Sequence, residues 1–283
     1  MNLDKENNFD LIFLGLAKNV EETISTFFKS CENLSLHGFK ICVIIGENGS
    51  KDKTRNILQN FKSSKFHFIY LKTDFLDIYE NRIIRLTNGR EYLKEYIIEN
   101  KIISKFVSVV DLDSVLSKGI EEIPFLETIQ ILEKRQNELF AISAKSRPYY
   151  YDMLPLIIKD YFEYDIYKIQ TTFSLVNFYN LRKLYIYNFQ KKITQMRDVL
   201  TISSHNGLTI YFYTNYITGL YKKNSKEIKS EHINFNLSIH KSTNKYILMT
   251  NKLNLITPPE HMPLNLIEFL KRIFIKFINI NIK

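Results

Sequence analysis

Ile41-Cys-Val-Ile-Ile45, then Glu47-Asn48-Gly49-Ser50, then a segment carrying Ile57, Leu58 and Phe61 at helical spacing: this strand, turn and helix decide the fold. The first five residues form an unbroken apolar run, the pattern of a strand covered on both faces. Asn-Gly is turn chemistry, and Ser50 or Asp52 can cap the helix that follows. The same unit recurs on either side. Upstream, Leu11-Ile-Phe-Leu-Gly-Leu16 reads as a buried strand. Asn19 then reads as an N-cap, with Glu22 completing a capping box. Val20, Ile24, Phe27 and Cys31 follow at helical spacing. Downstream, Phe66 to Leu71 predicts a third strand, residues 80–100 a helix, and Phe106-Val-Ser-Val-Val110 a fourth strand. Such alternation predicts the α/β class: a Rossmann-like, mostly parallel central sheet flanked by helices.

The second half is less regular. Phe140-Ala-Ile-Ser143 and Leu208 to Tyr213 read as strands, and residues 222–231 as a solvated loop. No repeat and no Pro/Gly linker divides the chain, so a single domain over residues 1–263 is expected. Residues 264–279 then place Leu266, Ile267, Leu270, Ile273, Phe274 and Phe277 at helical spacing, with Glu268, Lys271, Arg272 and Lys276 toward the other side. Residues 264–283 thus read as an amphipathic helix, packed on the core or lying on a membrane surface.

The 283 residues are 45% hydrophobic and 24% charged, which excludes wholesale disorder. The net charge of +9 suits a nucleotide diphosphate or an anionic membrane face, or is lysine spread over a solvated surface. A nucleic acid is not expected as partner, because no basic stripe interleaves with aromatics. Cys31 and Cys42 have neither disulfide-framework nor metal-site spacing. The polar N-terminus is unlike a signal peptide, and no long apolar run could span a bilayer. A cytoplasmic location is expected, with peripheral membrane contact as an option.

Ligands of such sheets bind beyond the carboxyl ends of the strands. There stands Val109-Val110-Asp111-Leu112-Asp113. In extended chain, residues i and i+2 share a side, so two carboxylates converge and repel unless a cation intervenes. Mg²⁺ or Mn²⁺ resolves this by taking oxygen ligands and leaving positions for phosphate. An ordinary strand-end turn capped by Asp gives the same letters. Glu47 and Asn48, after the second strand, can meet a ribose or base, or simply shape the turn. Arg82 and Arg85, one helical turn apart near Gly89 and Arg90, suit diphosphate oxygens or solvate their helix.

Together, in this order and spacing, these features resemble the nucleotide-binding half of GT-A glycosyltransferases. That family carries acidic-x-Gly-Ser-x-Asp-x-Thr after its second strand, matched by Glu47-Asn48-Gly49-Ser50-Lys51-Asp52-Lys53-Thr54, and Asp-x-Asp after its fourth, matched by Asp111 and Asp113. The chain is also similar to the branch related to fungal capsule mannosyltransferases, through Arg82-Ile-Ile-Arg85-Leu86, Tyr150-Tyr151-Asp152, Gly207-Leu-Thr-Ile-Tyr211 and Glu231-His232. It departs from that branch at Leu154-Pro155-Leu156 and at Ser230. The resemblance implies a nucleotide-binding half over about residues 10–115 and an acceptor-binding half over about 116–263.

It also implies divalent-metal-dependent transfer of a hexose, mannose in that branch, from a nucleotide-sugar donor to a glycan or lipid-linked acceptor. Asp113 and Asp111 would be metal ligands, with Asp111 also near the ribose. Asn19, Glu47, Asn48, Arg82 and Arg85 would bind the nucleotide sugar. Glu231, or Asp152 second, would be the catalytic base, and His232, His240 and His261 are candidate extra metal ligands. The rival is a catalytically silent nucleotide-sugar or glycan binder on the same fold. A nucleotidyltransferase would want more glycine than Gly15-Leu-Ala-Lys18 offers.

Overall fold

The computed structural model describes residues 7–160, 162–163, 179–180, 182–221 and 230–271. Strands β1 (Asn8–Ala17), β2 (Ile41–Glu47), β3 (His67–Lys72) and β4 (Ile103–Asp111) pair in parallel in the order β3-β2-β1-β4. Their apolar runs are unbroken because both faces are covered. Leu11, Phe13, Val43 and Ile45 pack beneath Ile24 and Phe27 of helix α1 (Ile24–Leu36). Helix α2 (Thr54–Asn60) follows β2, and α3 (Arg82–Glu99) precedes β4. Ile12, Leu14, Cys42 and Ile44 face the other way, against Leu93 and Ile97 of α3. Each such side chain, fully buried, contributes about 1.5–3 kcal/mol.

Beyond β4 the sheet becomes mixed. Helix α4 (Glu122–Lys134) leads into β5 (Leu139–Arg147). Short strands β6 (Ile157–Ile158) and β7 (Phe162–Glu163) come next, then helix α5 (Tyr187–Gln195) and β8 (Asp198–Ser203). Strand β9 (Leu208–Phe212) inserts antiparallel between β4 and β5. Helix α6 (Glu231–Thr243) and β10 (Tyr246–Ile256) follow, with β10 parallel to β5. Among the described residues the full order is β3-β2-β1-β4-β9-β5-β10-β8-β6-β7. The result is one mixed α/β domain around one large sheet flanked by helices. The mostly parallel sheet expected from sequence holds for its first four strands, while antiparallel pairs enter with β9.

Asn19 does not cap a helix. α1 starts later, at Ile24, and Thr23 before it makes no side-chain cap. Asn19 instead adopts a left-handed backbone (φ 56°), which its short polar side chain tolerates. Its Oδ1 accepts from Lys51 N (2.8 Å) and its N donates to Ser50 Oγ (3.0 Å). The loops after β1 and β2 are thereby stitched together at the sheet's carboxyl edge.

Of the predicted solvated loop, residues 222–229 lie outside the described residues, and Ser230 and Glu231 are buried. Residues 266–271 are helical, and the rest of the predicted C-terminal helix lies outside the described residues. In the described part Phe269 is buried against Tyr179, while Leu266, Ile267 and Leu270 are exposed. No helix among the described residues is long and apolar enough to cross a membrane.

Candidate active site

A cavity of ≈ 550 Å³ opens at the carboxyl ends of β1, β2 and β4. Asn19 and Asn48 line it from the loops after β1 and β2, and Arg82 and Arg85 from the first turn of α3. Asp111 and Asp113 line it from the end of β4. The second half of the chain contributes Asp152, Glu231 and His232 to the same cavity. Thus residues far apart in sequence converge where an α/β sheet places its ligands.

Glu47 is the exception. It is fully buried and absent from the cavity wall. Its Oε1 accepts from Ser50 N (2.6 Å) and its Oε2 from Arg55 Nε (2.6 Å), and Arg55 continues to Asp74. With both oxygens committed to a backbone donor and a guanidinium, Glu47 shapes the turn after β2. Asn48 stands in the cavity in its place. Its Oδ1 accepts from Lys18 Nζ (3.1 Å), another cavity residue that the sequence did not single out for ligand binding. Arg85 lines the cavity while donating to Tyr79 O (2.8 Å). His240 is no ligand candidate: it bonds Lys245 O (2.7 Å) and does not line the cavity, whereas His261 does.

The floor is a charged cluster around Arg90, a buried residue of α3. Arg90 Nη2 donates to Asp111 Oδ1 (2.6 Å), and Arg90 Nε to Glu231 Oε1 (3.3 Å). Burial disfavours the charged guanidinium, but the Asp111 and Glu231 anions outweigh it and raise its pKa. His205, in the segment between β8 and β9, places Nε2 3.4 Å from Asp111 Oδ1 and stacks on His232 (ring centroids 3.7 Å). Burial works to raise the Asp111 carboxyl, yet His205, Arg90 and His232 hold it well below the usual carboxylate range. Burial, and then His205 and Arg90, push His232 well below the ordinary histidine value.

Asp152 behaves oppositely. Burial, and then the Asp111 and Glu231 anions, push it up to about 8. It accepts from Asn206 N (3.3 Å).

Asp113 accepts from Val115 N (3.2 Å) through Oδ1. Burial and the neighbouring Asp111 anion raise it to about 6. The Oδ1 atoms of Asp111 and Asp113 accept from Arg90 Nη2 and Val115 N. A pair of cavity carboxylates, one destabilised by the other's charge, fits a hard divalent ion. Mg²⁺ in particular is held by one or two carboxylates plus water and phosphate. No group of three or more His, Cys, Asp or Glu suited to a metal occurs among the described residues.

Arg90 and His205 were the least legible members of this floor. Arg90 is one of three arginines near Gly89, and nothing local separates the buried one from the others. His205 lies in Ser203-Ser204-His205-Asn206, which carries no periodic or motif signal.

No protein-family profile and no curated protein sequence matches the chain. Among solved structures it is similar to S. aureus TarS residues 1–349, at TM-score 0.48 and 12% identity, covering 89% of this chain and 61% of that one. The same segment in complex with UDP-GlcNAc gives 0.46 and 11%, covering 89% and 60%. M. tuberculosis glucosyl-3-phosphoglycerate synthase gives 0.47 and 12%, covering 94% and 77%. The chain spans about three fifths of the TarS segment.

Proposed function

We propose that this protein is a glycosyltransferase that moves a hexose from a nucleotide-sugar donor to a hydroxyl of a glycan or lipid-linked acceptor, dependent on a divalent ion. One observation carries the proposal. The strand-end pair Asp111 and Asp113 shares a single cavity with Glu231, a carboxylate from the far end of the chain. A donor site and a base facing one space are what sugar transfer to a hydroxyl needs. The sequence resemblance to GT-A enzymes, and to the mannosyltransferase-related branch, points the same way.

Asp111 and Asp113 would hold Mn²⁺ or Mg²⁺, whose charge supports the departing diphosphate. Lys18, Arg82 and Arg85 add positive charge to that side of the cavity. Asn19 and Asn48, at the ends of β1 and β2, face the nucleoside end. Glu231 takes the acceptor proton in an inverting displacement. Asp152, in the same cavity, is the second candidate base. The exposed Leu266, Ile267 and Leu270, with the charge of +9, support peripheral contact with an anionic membrane bearing a lipid-linked acceptor.

A thermal-shift screen of UDP- and GDP-sugars, with and without Mn²⁺, tests the donor half, since specific binding stabilises the native state. A shift that needs both nucleotide sugar and Mn²⁺, followed by nucleotide release on turnover, is expected. Binding without turnover identifies a silent binder. No shift with any donor overturns the proposal.

A further inference from the structure

We infer that Arg90 is the positioning residue of the transfer step, one guanidinium fixing the Glu231 base in register with the Asp111 donor site. The inference rests on the proposed glycosyl transfer. Arg90 sits on α3, in the parallel half, while Glu231 opens α6, 141 residues later. Its Nη2 reaches Asp111 Oδ1 at 2.6 Å and its Nε reaches Glu231 Oε1 at 3.3 Å. Arg90 and Glu231 are buried, at 4% and 6% exposure, while the Asp111 side chain remains 27% exposed. His205 Nε2, 3.4 Å from the same Asp111 oxygen, is a second link between the two halves.

The bridge also selects which oxygen of Glu231 can work. Oε1 faces Arg90 Nε, and His232 Nε2 stands 3.5 Å from the same atom. Oε2 meets only Ser230 Oγ, at 3.5 Å, among the described residues. Oε2 is therefore the oxygen left to receive a proton. In the step, the acceptor oxygen bonds the anomeric carbon. The bond from that carbon to the diphosphate breaks, and its electron pair leaves on the diphosphate. The acceptor proton passes to Glu231 Oε2.

A guanidinium is suited to this task because its planar fork holds two carboxylates at a fixed angle, which a lysine ammonium does not reproduce. Arg90 Nη1 is buried with no hydrogen-bond partner among the described residues.

The test uses the full chain with Mn²⁺ and UDP-glucose, UDP-GlcNAc or GDP-mannose, with water and added methyl glycosides as acceptor hydroxyls, reading nucleotide release. Wild type, Arg90→Lys, Glu231→Gln and the double variant are compared, with UDP and GDP binding measured by calorimetry. Arg90→Lys keeps a cation between the carboxylates. Its kcat is expected to fall about 100-fold, the cost of a misplaced group, with donor KM within about threefold. Glu231→Gln falls similarly, and the double variant is within about threefold of the worse single, because both changes remove one function. Losses that multiply in the double variant overturn the inference and leave glycosyl transfer standing. A loss in KM and nucleotide affinity with kcat unchanged also overturns it, making Arg90 a donor ligand. A wild type that binds nucleotide sugar but never turns it over overturns the transfer itself, and the inference with it. If Arg90→Lys is unfolded by circular dichroism, Arg90→Ala with added guanidinium ion replaces it. Restored kcat then supports the inference, and no restoration in the folded variant overturns it.

Discussion

At the scale of single residues, three carboxyls lining one cavity differ because their neighbours differ. Asp111 has Arg90 and His205 beside it and stays ionised, whereas Asp113 has Asp111 beside it and is raised to about 6. Asp113→Ala is therefore expected to abolish the Mn²⁺-dependent thermal shift and lower turnover at least about 100-fold, with the fold kept. Normal turnover by the folded variant at chelator-controlled Mn²⁺ would remove Asp113 from the metal site. Asp152 supplies a pH test. Its folded pKa of about 8 lies above the unfolded carboxyl value, so its ionisation costs stability. The cost is absent below the unfolded pKa, grows as pH rises, and is complete above about pH 8. Asp152→Asn should thus melt higher than wild type at pH 8.5 by several degrees, and near wild type at pH 4. Equal differences at both values would contradict the raised pKa.

At the scale of elements, α3 carries the site. Its N-cap Asn81 accepts from Ile83 N (2.8 Å) and Ile84 N (3.2 Å), fixing the turn that presents Arg82 and Arg85. Asn81→Ala should cost about 1 kcal/mol in urea unfolding. One residue before Arg90, Gly89 lets the helix lie close on β1. A Cβ there would stand 2.8 Å from Leu16 Cδ1 and 3.0 Å from Leu76 Cδ1. An alanine gains about 1 kcal/mol of helix propensity against overpacking of about 1–3 kcal/mol. Gly89→Ala is then destabilising by about 0–2 kcal/mol, and Gly89→Val destabilises by more than Gly89→Ala and lowers turnover by shifting Arg90. Wild-type stability and turnover for Gly89→Val would show that the helix has room. The helical period of residues 80–100 made α3 legible. Which of its arginines faces inward was not, since that depends on the rotation of the helix against β1.

At the scale of the whole molecule, a basic chain exposes Leu266, Ile267 and Leu270 close in sequence to the cavity residue His261. Full-length protein is expected to co-sediment with anionic vesicles more than with neutral ones. A chain ending at Pro263 should lose that binding. Each basic residue near the surface adds about 1 kcal/mol, eroded by salt. Equal sedimentation of both chains would assign this segment to packing alone. Phe269, buried against Tyr179, shows that packing already claims one side of it.

Periodicity and turn chemistry alone determined β1 to β4, the helices between them and the Asp111–Asp113 pair at a strand end. Those signals are local: an apolar run, an Asn-Gly turn and a helical repeat each depend on a few adjacent residues. β10 was missed because Asn251, Lys252 and Asn254 break its apolar run, and its register against β5 shifts there. α4 was missed too, although Phe125, Ile129 and Leu132 lie at helical spacing. Only the tertiary structure decided that Asn19 joins two loops and caps no helix. It likewise turned Glu47 into the turn and away from the cavity. It alone brought Glu231, at the edge of a predicted solvated loop, to a buried arginine on α3. The physical reason is contact across sequence. A charged side chain is worth burying only when an opposite charge meets it, and no local pattern says which distant residue that will be.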